Sequence, residues 1–475
     1  MDARFQTPAQ QKGYIQLTTL AVFGFCSIFF PRVLTLIKFP SVINLAHFAV
    51  VPWIFAFALA KTRVKDRQQI TIIWELIFAL FLFLCVNLAS ALINDAGIIN
   101  ACMNFLFWCE CFLFAIILLT LPLTAEKLVN LRAFLIGSAL VNTLFAYVQR
   151  YVLKLHLQQG LEDNIKGVFV GGGAGHVVGA SVALTFGAYY LVHAKSVPLW
   201  LRSIILLLTF WHMNLADAKQ VLLAFIVGGA LLIFSKFKSV GQAVKYFGGA
   251  VVLCLVLFWA TQNIPALDAF NTWARPEIYG PDGEATLLKT ATFRIVPTFY
   301  ESFLNPWLGI GPGHSVGRLG GWMLGEYSFI LSPLGATVHP ASATVWQAVG
   351  QSWLGSQSSM FSPLFGWAGI WGDLGLLGLL SYLYIWFVVL RRFCYDDLSR
   401  LLVFTVFVFG LIFTQMEDPQ YMAFVITVIS LRWMEHHYQK RSGQPLQFQS
   451  AEKIRWRSPK KLLRRILLLP PEPTI

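Results

Sequence analysis

The sequence predicts an all-α polytopic membrane protein with about twelve transmembrane helices and one large external loop between the ninth and tenth. The chain is 57% hydrophobic and only 12% charged, with a mean hydropathy of +0.64, which is unlike a soluble domain. Apolar stretches long enough to cross ~30 Å of hydrocarbon, ~20 residues each, recur along it. Lys and Arg concentrate in alternate connecting loops, as in multi-pass proteins.

Twelve apolar stretches are the candidate crossings, and several of them are short. They lie at residues 14–31, 41–60, 69–93, 97–121, 132–154, 172–193, 199–215, 219–235, 245–261, 366–390, 399–415 and 420–434. The two stretches within 199–235 also fit a single broken hairpin. The predicted organisation is therefore helices 1–9 at 1–261, an external loop at 262–365, helices 10–12 at 366–434 and a basic tail at 435–475.

Loop charges predict that both termini are cytoplasmic. With the N-terminus inside, the basic loops at 61–67, 235–245 and 391–400 all fall on the inner side. The loops at 94–97 and 415–419 contain no Lys or Arg and fall on the outer side. Five cations are left outside: Arg32, Lys38, Arg150, Lys154 and Lys166. Either the boundaries are slightly shifted, or some of these cations are kept there for a reason.

The net charge of +13 does not indicate nucleic acid, because much of it lies in one tail. From Arg432 onwards there are ten Lys or Arg against three Asp or Glu. The segment KKLLRRILLL there suits membrane lipids, with Leu and Ile in the acyl boundary and cations at the headgroups. The cysteine spacing predicts neither a zinc site nor a structural disulfide.

Cations near the predicted outer face are the first candidates for a substrate site, because ionisable groups at membrane level are costly to keep. Lys219 opens the eighth crossing, where it would hold a phosphate or form a snorkelling pair with Asp217. Arg294 offers a planar fork to phosphate, or forms a surface pair with Glu301.

The loop segments supply further candidates. His314, a candidate catalytic residue, and Arg318, a candidate diphosphate ligand, lie in GIGPGHSVGR, whose backbone is able to approach a ligand closely. His339, in Val-His-Pro, is either a general base near neutral pH or a structural loop histidine. Lys166 and His176 are further candidates for binding the diphosphate. They flank a run of glycines that serves either a ligand or simple helix packing.

The remaining ionisable groups and the known catalytic signatures add little. His47 and Glu110 are interpreted as satisfied interior groups. No Gly-x-Ser-x-Gly, His-Glu-x-x-His or Walker loop occurs, and the external loop has no acidic pair spaced for a metal-nucleotide donor. Any catalysis is therefore expected to need no metal or other cofactor, and to use cations on a phosphate and one base on a hydroxyl.

Four segments, in order, resemble the O-antigen ligase and O-antigen polymerase superfamily. KGVFVGGGAGHVVGASVAL resembles its basic-Gly-Phe turn, and LADAKQVLLAFIVGGALLIF its Ser-Arg-Gly helix start, with Lys219 where Arg is usual. FRIVPTFYESFLNPWLGIGPG resembles its Arg and N-P-x-x-G-x-G loop opening, and WGDLGLLGLLSYLYI its E-x-G-x-x-G crossing. Together these segments span roughly residues 160–390.

The resemblance implies a C-type glycosyltransferase of the bacterial inner membrane, acting at the periplasmic face on an undecaprenyl-diphosphate-linked glycan. It implies a polysaccharide polymerase, or alternatively a ligase that transfers glycan to lipid A-core, working alongside a flippase and a chain-length regulator. Arg294 and Lys219 match the family's diphosphate-binding cations. The usual family histidine has no counterpart in GSQSSMFSPLFGWAG, so His339 is a displaced base or another group serves. A transporter is the alternative from a different class.

Overall fold

The computed structural model describes residues 16–61, 64, 66–158, 162–171, 174–237, 240–263, 276–357 and 361–443. These residues form helices and turns and include no strand. The predicted tail beyond residue 443 and residues 264–275 of the predicted loop lie outside the described chain.

Fourteen helices in the described chain are longer than ten residues, and each predicted apolar stretch coincides with one of them. Helices α1–α9 are Leu17–Phe29, His47–Lys61, Arg67–Ile93, Ile98–Leu119, Ala125–Tyr147, Gly175–His193, Leu199–Leu215, Lys219–Phe234 and Val240–Asn263. The loop contributes α10 (Glu284–Ile295) and α11 (Pro340–Gln351). The last three are α12 (Gly366–Arg392), α13 (Asp397–Ile412) and α14 (Pro419–Ser442).

Several of these helices are suited to a bilayer, which confirms an all-α membrane protein. Six in the described chain are long and apolar enough to cross a membrane, or seven if the bent pair Leu17–Phe29 and Pro31–Ile37 is one span. The bend between those two helices is 55°. Helices α7 and α8 are shorter and separate, with Asp217 in left-handed conformation between them (φ 46°). Twelve crossings remain a prediction.

Helices α4 and α14 form the centre of the bundle. Both are buried along most of their length, α4 because it is apolar on all sides and α14 chiefly through its apolar first half. Helix α14 packs against α1, α4, α5 and α6, while α3 packs on α12 and α8 on α13. This central pair is what holds the outer end of α1 near the start of α14.

Polar contacts divide the bundle into two ends. At one end, Asp66 pairs with Arg441, Asp396 with Arg432, and Glu75 with Arg392. The loops with these residues are the ones whose charges predict a cytoplasmic location. We call this the inner end, and the opposite end, which carries the large loop, the outer end.

The large loop is docked on the outer end through backbone contacts. Ile310 and Gly311 donate their N–H groups to the Gly372 and Asp373 carbonyls of α12 at 2.9 and 3.1 Å. Gly309 has a φ of 71°, and a Cβ there would lie 2.3 Å from the Asp373 carbonyl carbon. Helix α12 is kinked at Gly375 (φ 63°) beside this contact. Only glycine allows the loop to approach α12 so closely.

Candidate functional site

A polar pocket of about 340 Å³ lies at the outer end of the bundle. Residues 32–48, residues 318–327 of the large loop, Val170–Gly171 and the start of α14 line it. Phe107 also lines it and is nine residues along α4, ~14 Å from the outer end of that helix at 1.5 Å per residue. The pocket therefore reaches into the bundle.

Two arginines line this pocket, and both face the same aspartate at the start of α14. Arg318 Nη1 donates to Asp418 Oδ2 at 2.8 Å, and Arg32 Nη2 lies 3.9 Å from the same oxygen. The three residues are 8%, 2% and 7% exposed, respectively. Asp418 Oδ1 also caps α14 by accepting the N–H groups of Gln420 and Tyr421. One carboxylate thus faces two buried guanidinium groups, while Glu326, the carboxylate in the pocket lining, is exposed.

Each arginine keeps one buried N–H group without a partner. Among the described residues, Arg32 Nη1 and Arg318 Nε have no hydrogen-bond acceptor. Leaving a buried donor unpaired costs about 1–3 kcal/mol, and more when the group is charged. Because the guanidinium fork matches phosphate oxygens, the pocket has the chemistry of a phosphate-binding site.

Buried carboxylates fix the loop that carries Arg318. Asp373 accepts the N–H groups of Gly313 (2.9 Å) and Ser315 (2.8 Å) and the Ser315 hydroxyl (2.7 Å). Glu417 Oε2 accepts the backbone N–H of Arg318 at 2.5 Å. The position of Arg318 is therefore set by its backbone as well as by its ion pair.

Lys166 lies in a tight turn next to the pocket. Gln149 Oε1 accepts the N–H groups of Lys166 and Gly167 at 2.9 and 2.8 Å. Gly167 has a φ of 58°, and a Cβ there would lie 2.1 Å from Asn142 Oδ1. Lys166 Nζ donates to the Gly171 carbonyl, at the pocket wall, at 2.9 Å. Burial lowers the pKa of Lys166, nearby Arg32 lowers it further, and Asp163 opposes both.

An apolar groove of about 500 Å³ adjoins the polar pocket. It lies between α1, α2 and α5 and includes Phe23 and Val141, which are 54% and 51% exposed on the outside of the bundle. The segment 31–50 lines both cavities, with Pro31 and Val33 on the groove and Arg32 between them on the pocket. A single ligand with an apolar chain and a charged head would fit this arrangement.

The structure brings the two predicted catalytic histidines together. The rings of His314 and His339 stack with centroids 5.2 Å apart. His314 Nδ1 lies 2.9 Å from the Ile310 carbonyl and Nε2 lies 2.8 Å from Thr337 Oγ1. His339 Nδ1 accepts the Ala341 N–H at 3.1 Å and caps α11. Burial lowers the pKa of both rings, so both favour the neutral form.

The other predicted phosphate-binding residues lie away from the polar pocket. Arg294 is exposed and turns back on its own helix, to Thr290 Oγ1 (3.2 Å) and the Leu287 carbonyl (2.7 Å). Lys219 forms the 2.9 Å pair with Asp217 that the simpler interpretation predicts, and its side chain is 80% exposed.

His176 belongs to the cluster around Lys166 rather than to the pocket lining. It is buried, and its Nε2 lies 3.7 Å from Asp163 Oδ1. Of the five predicted phosphate-binding residues, Arg318 lines the pocket, Lys166 adjoins it, and Arg294, Lys219 and His176 are not among the residues that line it.

Arg32 is the lining arginine that the candidate set lacks. The sequence did point to Arg32, because Arg32 and Lys166 are two of the five cations that the loop-charge rule leaves on the outer side. Asp418 gave no comparable signal, because a helix-capping aspartate is common at the start of a helix. Only the fold shows that it joins the first crossing to the large loop.

Comparison with known proteins adds no family assignment: no protein-family model matches the chain, and no curated protein matches it.

Proposed function

We propose that this chain is a membrane glycosyltransferase that moves an undecaprenyl-diphosphate-linked oligosaccharide onto a sugar hydroxyl, as in O-antigen polymerases and ligases. The observation that carries the proposal is the phosphate-suited pocket of Arg32 and Arg318 next to an apolar groove on the outside of the bundle. The four segments that resemble O-antigen ligases and polymerases indicate the glycosyl-transfer reaction.

The donor would bind across both cavities. Its prenyl chain would lie in the groove between α1, α2 and α5, where burying each CH₂ contributes ~0.8 kcal/mol. Its diphosphate would accept hydrogen bonds from Arg32 and Arg318. Residues 31–50 line both the apolar groove and the charged pocket. This arrangement suits a phosphate linked to a lipid better than a soluble phosphate.

The arginines would act on the leaving group. As the bond between the sugar and the diphosphate breaks, negative charge grows on the departing oxygen. Fixed guanidinium groups in a site of low dielectric stabilise that charge more than water would. The proposed reaction needs no metal for this step, since two buried cations already face one carboxylate.

Polymerase remains the leading form of the proposal, with ligase as the alternative, and the acceptor distinguishes them. In both, the outer end would face the periplasm of a bacterial inner membrane and both termini the cytoplasm. A flippase that delivers the donor and a chain-length regulator would be the expected partners.

The test is a transfer reaction in proteoliposomes with undecaprenyl-diphosphate-linked repeat units. A polymerase yields longer glycan and free undecaprenyl diphosphate, whereas a ligase yields product only after lipid A-core is added. If folded protein forms no new glycosidic bond with either acceptor, the proposal is wrong.

One structural feature favours a second candidate, a transporter of the same kind of lipid. The first apolar segment is broken, with α1 and Pro31–Ile37 meeting at 55°, and broken helices are typical of transporters. The same proteoliposomes test this candidate, because a transporter would move the lipid between leaflets and leave its glycan unchanged.

A further inference from the structure

The polar pocket contains a histidine–carboxylate pair that the phosphate site does not use. His47, the first residue of α2, lines the pocket together with Arg32 and Arg318. Its Nδ1 lies 2.8 Å from Glu110 Oε1 of α4. Both residues are 2% exposed. Burying such a pair is weak support for stability, so its presence calls for another explanation.

The hydrogen bonds of the two loop histidines leave neither with a free basic nitrogen. His314 Nδ1 faces a carbonyl and must donate, so its Nε2 accepts from the Thr337 hydroxyl. His339 Nδ1 accepts a backbone N–H, so the proton of the neutral ring is on Nε2, which is then a donor. Either ring would have to break a bond to act as a base.

His47 has the opposite arrangement. A carboxylate accepts, so Nδ1 carries the proton and Nε2 carries the lone pair. Within the described residues, the contact with Glu110 is the only hydrogen bond of the His47 ring, and it uses Nδ1. A carboxylate on Nδ1 also orients the ring and stabilises the imidazolium that forms when Nε2 takes a proton.

Resting on the proposed function, we infer that His47 is the general base that activates the acceptor hydroxyl, and that Glu110 positions it. Nε2 takes the proton of the acceptor O–H while that oxygen bonds to the anomeric carbon of the donor sugar. The bond from that carbon to the diphosphate oxygen breaks, and its electron pair leaves with the diphosphate on Arg32 and Arg318. The imidazolium then returns its proton to water.

Other ionisable groups around the pocket would influence this base. They are Arg32 after α1, Arg318, Glu326 and Tyr327 of the loop, and Asp418 at the start of α14, in addition to Glu110. The two arginines and Asp418 are constant between the variants described next. A change in kcat on altering Glu110 therefore reports on the His47–Glu110 pair.

The test compares H47Q and E110Q with the intact protein in the proteoliposome transfer assay. H47Q is expected to lower kcat by ~10²–10⁴-fold, the usual effect of losing a general base. Its affinity for inorganic pyrophosphate should stay within about threefold, which shows that the pocket is folded. E110Q should lose less, through kcat and with the donor KM unchanged, because Glu110 orients the base and does not contact the substrate.

The control is H156Q, a histidine in the turn after α5 and outside the pocket lining, which should keep full activity. Near-normal kcat in H47Q, or a raised donor KM with unchanged kcat in E110Q, overturns the inference while leaving the transferase intact. Absence of transfer by the unaltered protein instead overturns the proposed function itself.

Discussion

At the scale of single residues, Asp418 joins two roles that are usually separate. One oxygen caps α14 and the other faces Arg318 and Arg32, so one side chain links the central helix, the first crossing and the large loop. Its carboxylate is buried and pairs with both arginines of the pocket. Removing that charge should therefore lower the stability of the protein and strengthen its binding of an anion.

We predict that D418N destabilises the protein by roughly 3–5 kcal/mol, the usual effect of removing one partner of a buried pair. Inorganic pyrophosphate should then raise the melting temperature of D418N more than that of the unaltered protein, because an anion replaces the missing charge. Thermal unfolding in detergent with and without pyrophosphate measures both effects. A smaller pyrophosphate shift in D418N would contradict the assignment of an anion site.

At the scale of elements, the contact between the loop and α12 depends on the absence of a side chain at position 309. G309A should weaken this contact by about 1–3 kcal/mol, as overpacking does, and should expose residues 276–357 to proteases. G325A is the matched control, since a Cβ at Gly325 meets no atom within 4 Å. Equal protease resistance of the two variants would show that the docking tolerates a Cβ.

The contact between α10 and the end of α13 is expected to make the stability of the protein depend on pH. Lys289 of α10 donates to the Ile412 carbonyl at the end of α13 (2.9 Å) and lies over the Phe365 ring. Burial lowers the pKa of Lys289 to about 7. The unfolded chain keeps this proton up to about pH 10.4 and the folded chain releases it near 7, so stability should rise with pH between these values.

The predicted result is a melting temperature that increases from pH 7 to 9 in the unaltered protein and less so in K289M. The exposed Lys195 supplies the control, and K195M should keep the full increase. A K289M profile that matches the profile of the unaltered protein would show that Lys289 is not the responsible group.

At the scale of the whole molecule, the proposed orientation places the large loop outside and the basic loops inside. A cysteine at Phe303, which is 84% exposed in the large loop, should react with an impermeant maleimide in intact cells. A cysteine at the exposed Arg391 of the inner end should react only after permeabilisation. The parent chain gives the background of its own cysteines, and the reverse pattern would invert the orientation.

Sequence alone predicted the helices well because apolar length is a local property. All twelve apolar stretches became helices, and the basic loops at 61–67 and 391–400 lie at the same end of the bundle. The pocket was predicted only in part. Arg318 was a candidate, but its partners Arg32 and Asp418 are distant in sequence and meet only through the packing of α1, α14 and the loop.

The histidines show a similar limit. Spacing and residue type favoured His314 and His339, and both lie together in the large loop. Which ring nitrogen is free depends on hydrogen bonds to backbone groups, and no sequence pattern encodes these bonds. His47 was interpreted as a satisfied interior group for the same reason, because its place in the pocket wall depends on the bend after α1.

The central claim is that Arg32 and Arg318 hold the diphosphate of the donor, and R32K tests it most directly. Lysine keeps the charge but lacks the planar fork, so the KM for the undecaprenyl-diphosphate donor should rise by about tenfold or more in proteoliposomes. R391K, at the inner end, should leave this KM unchanged. A donor KM in R32K equal to that in R391K would contradict the account.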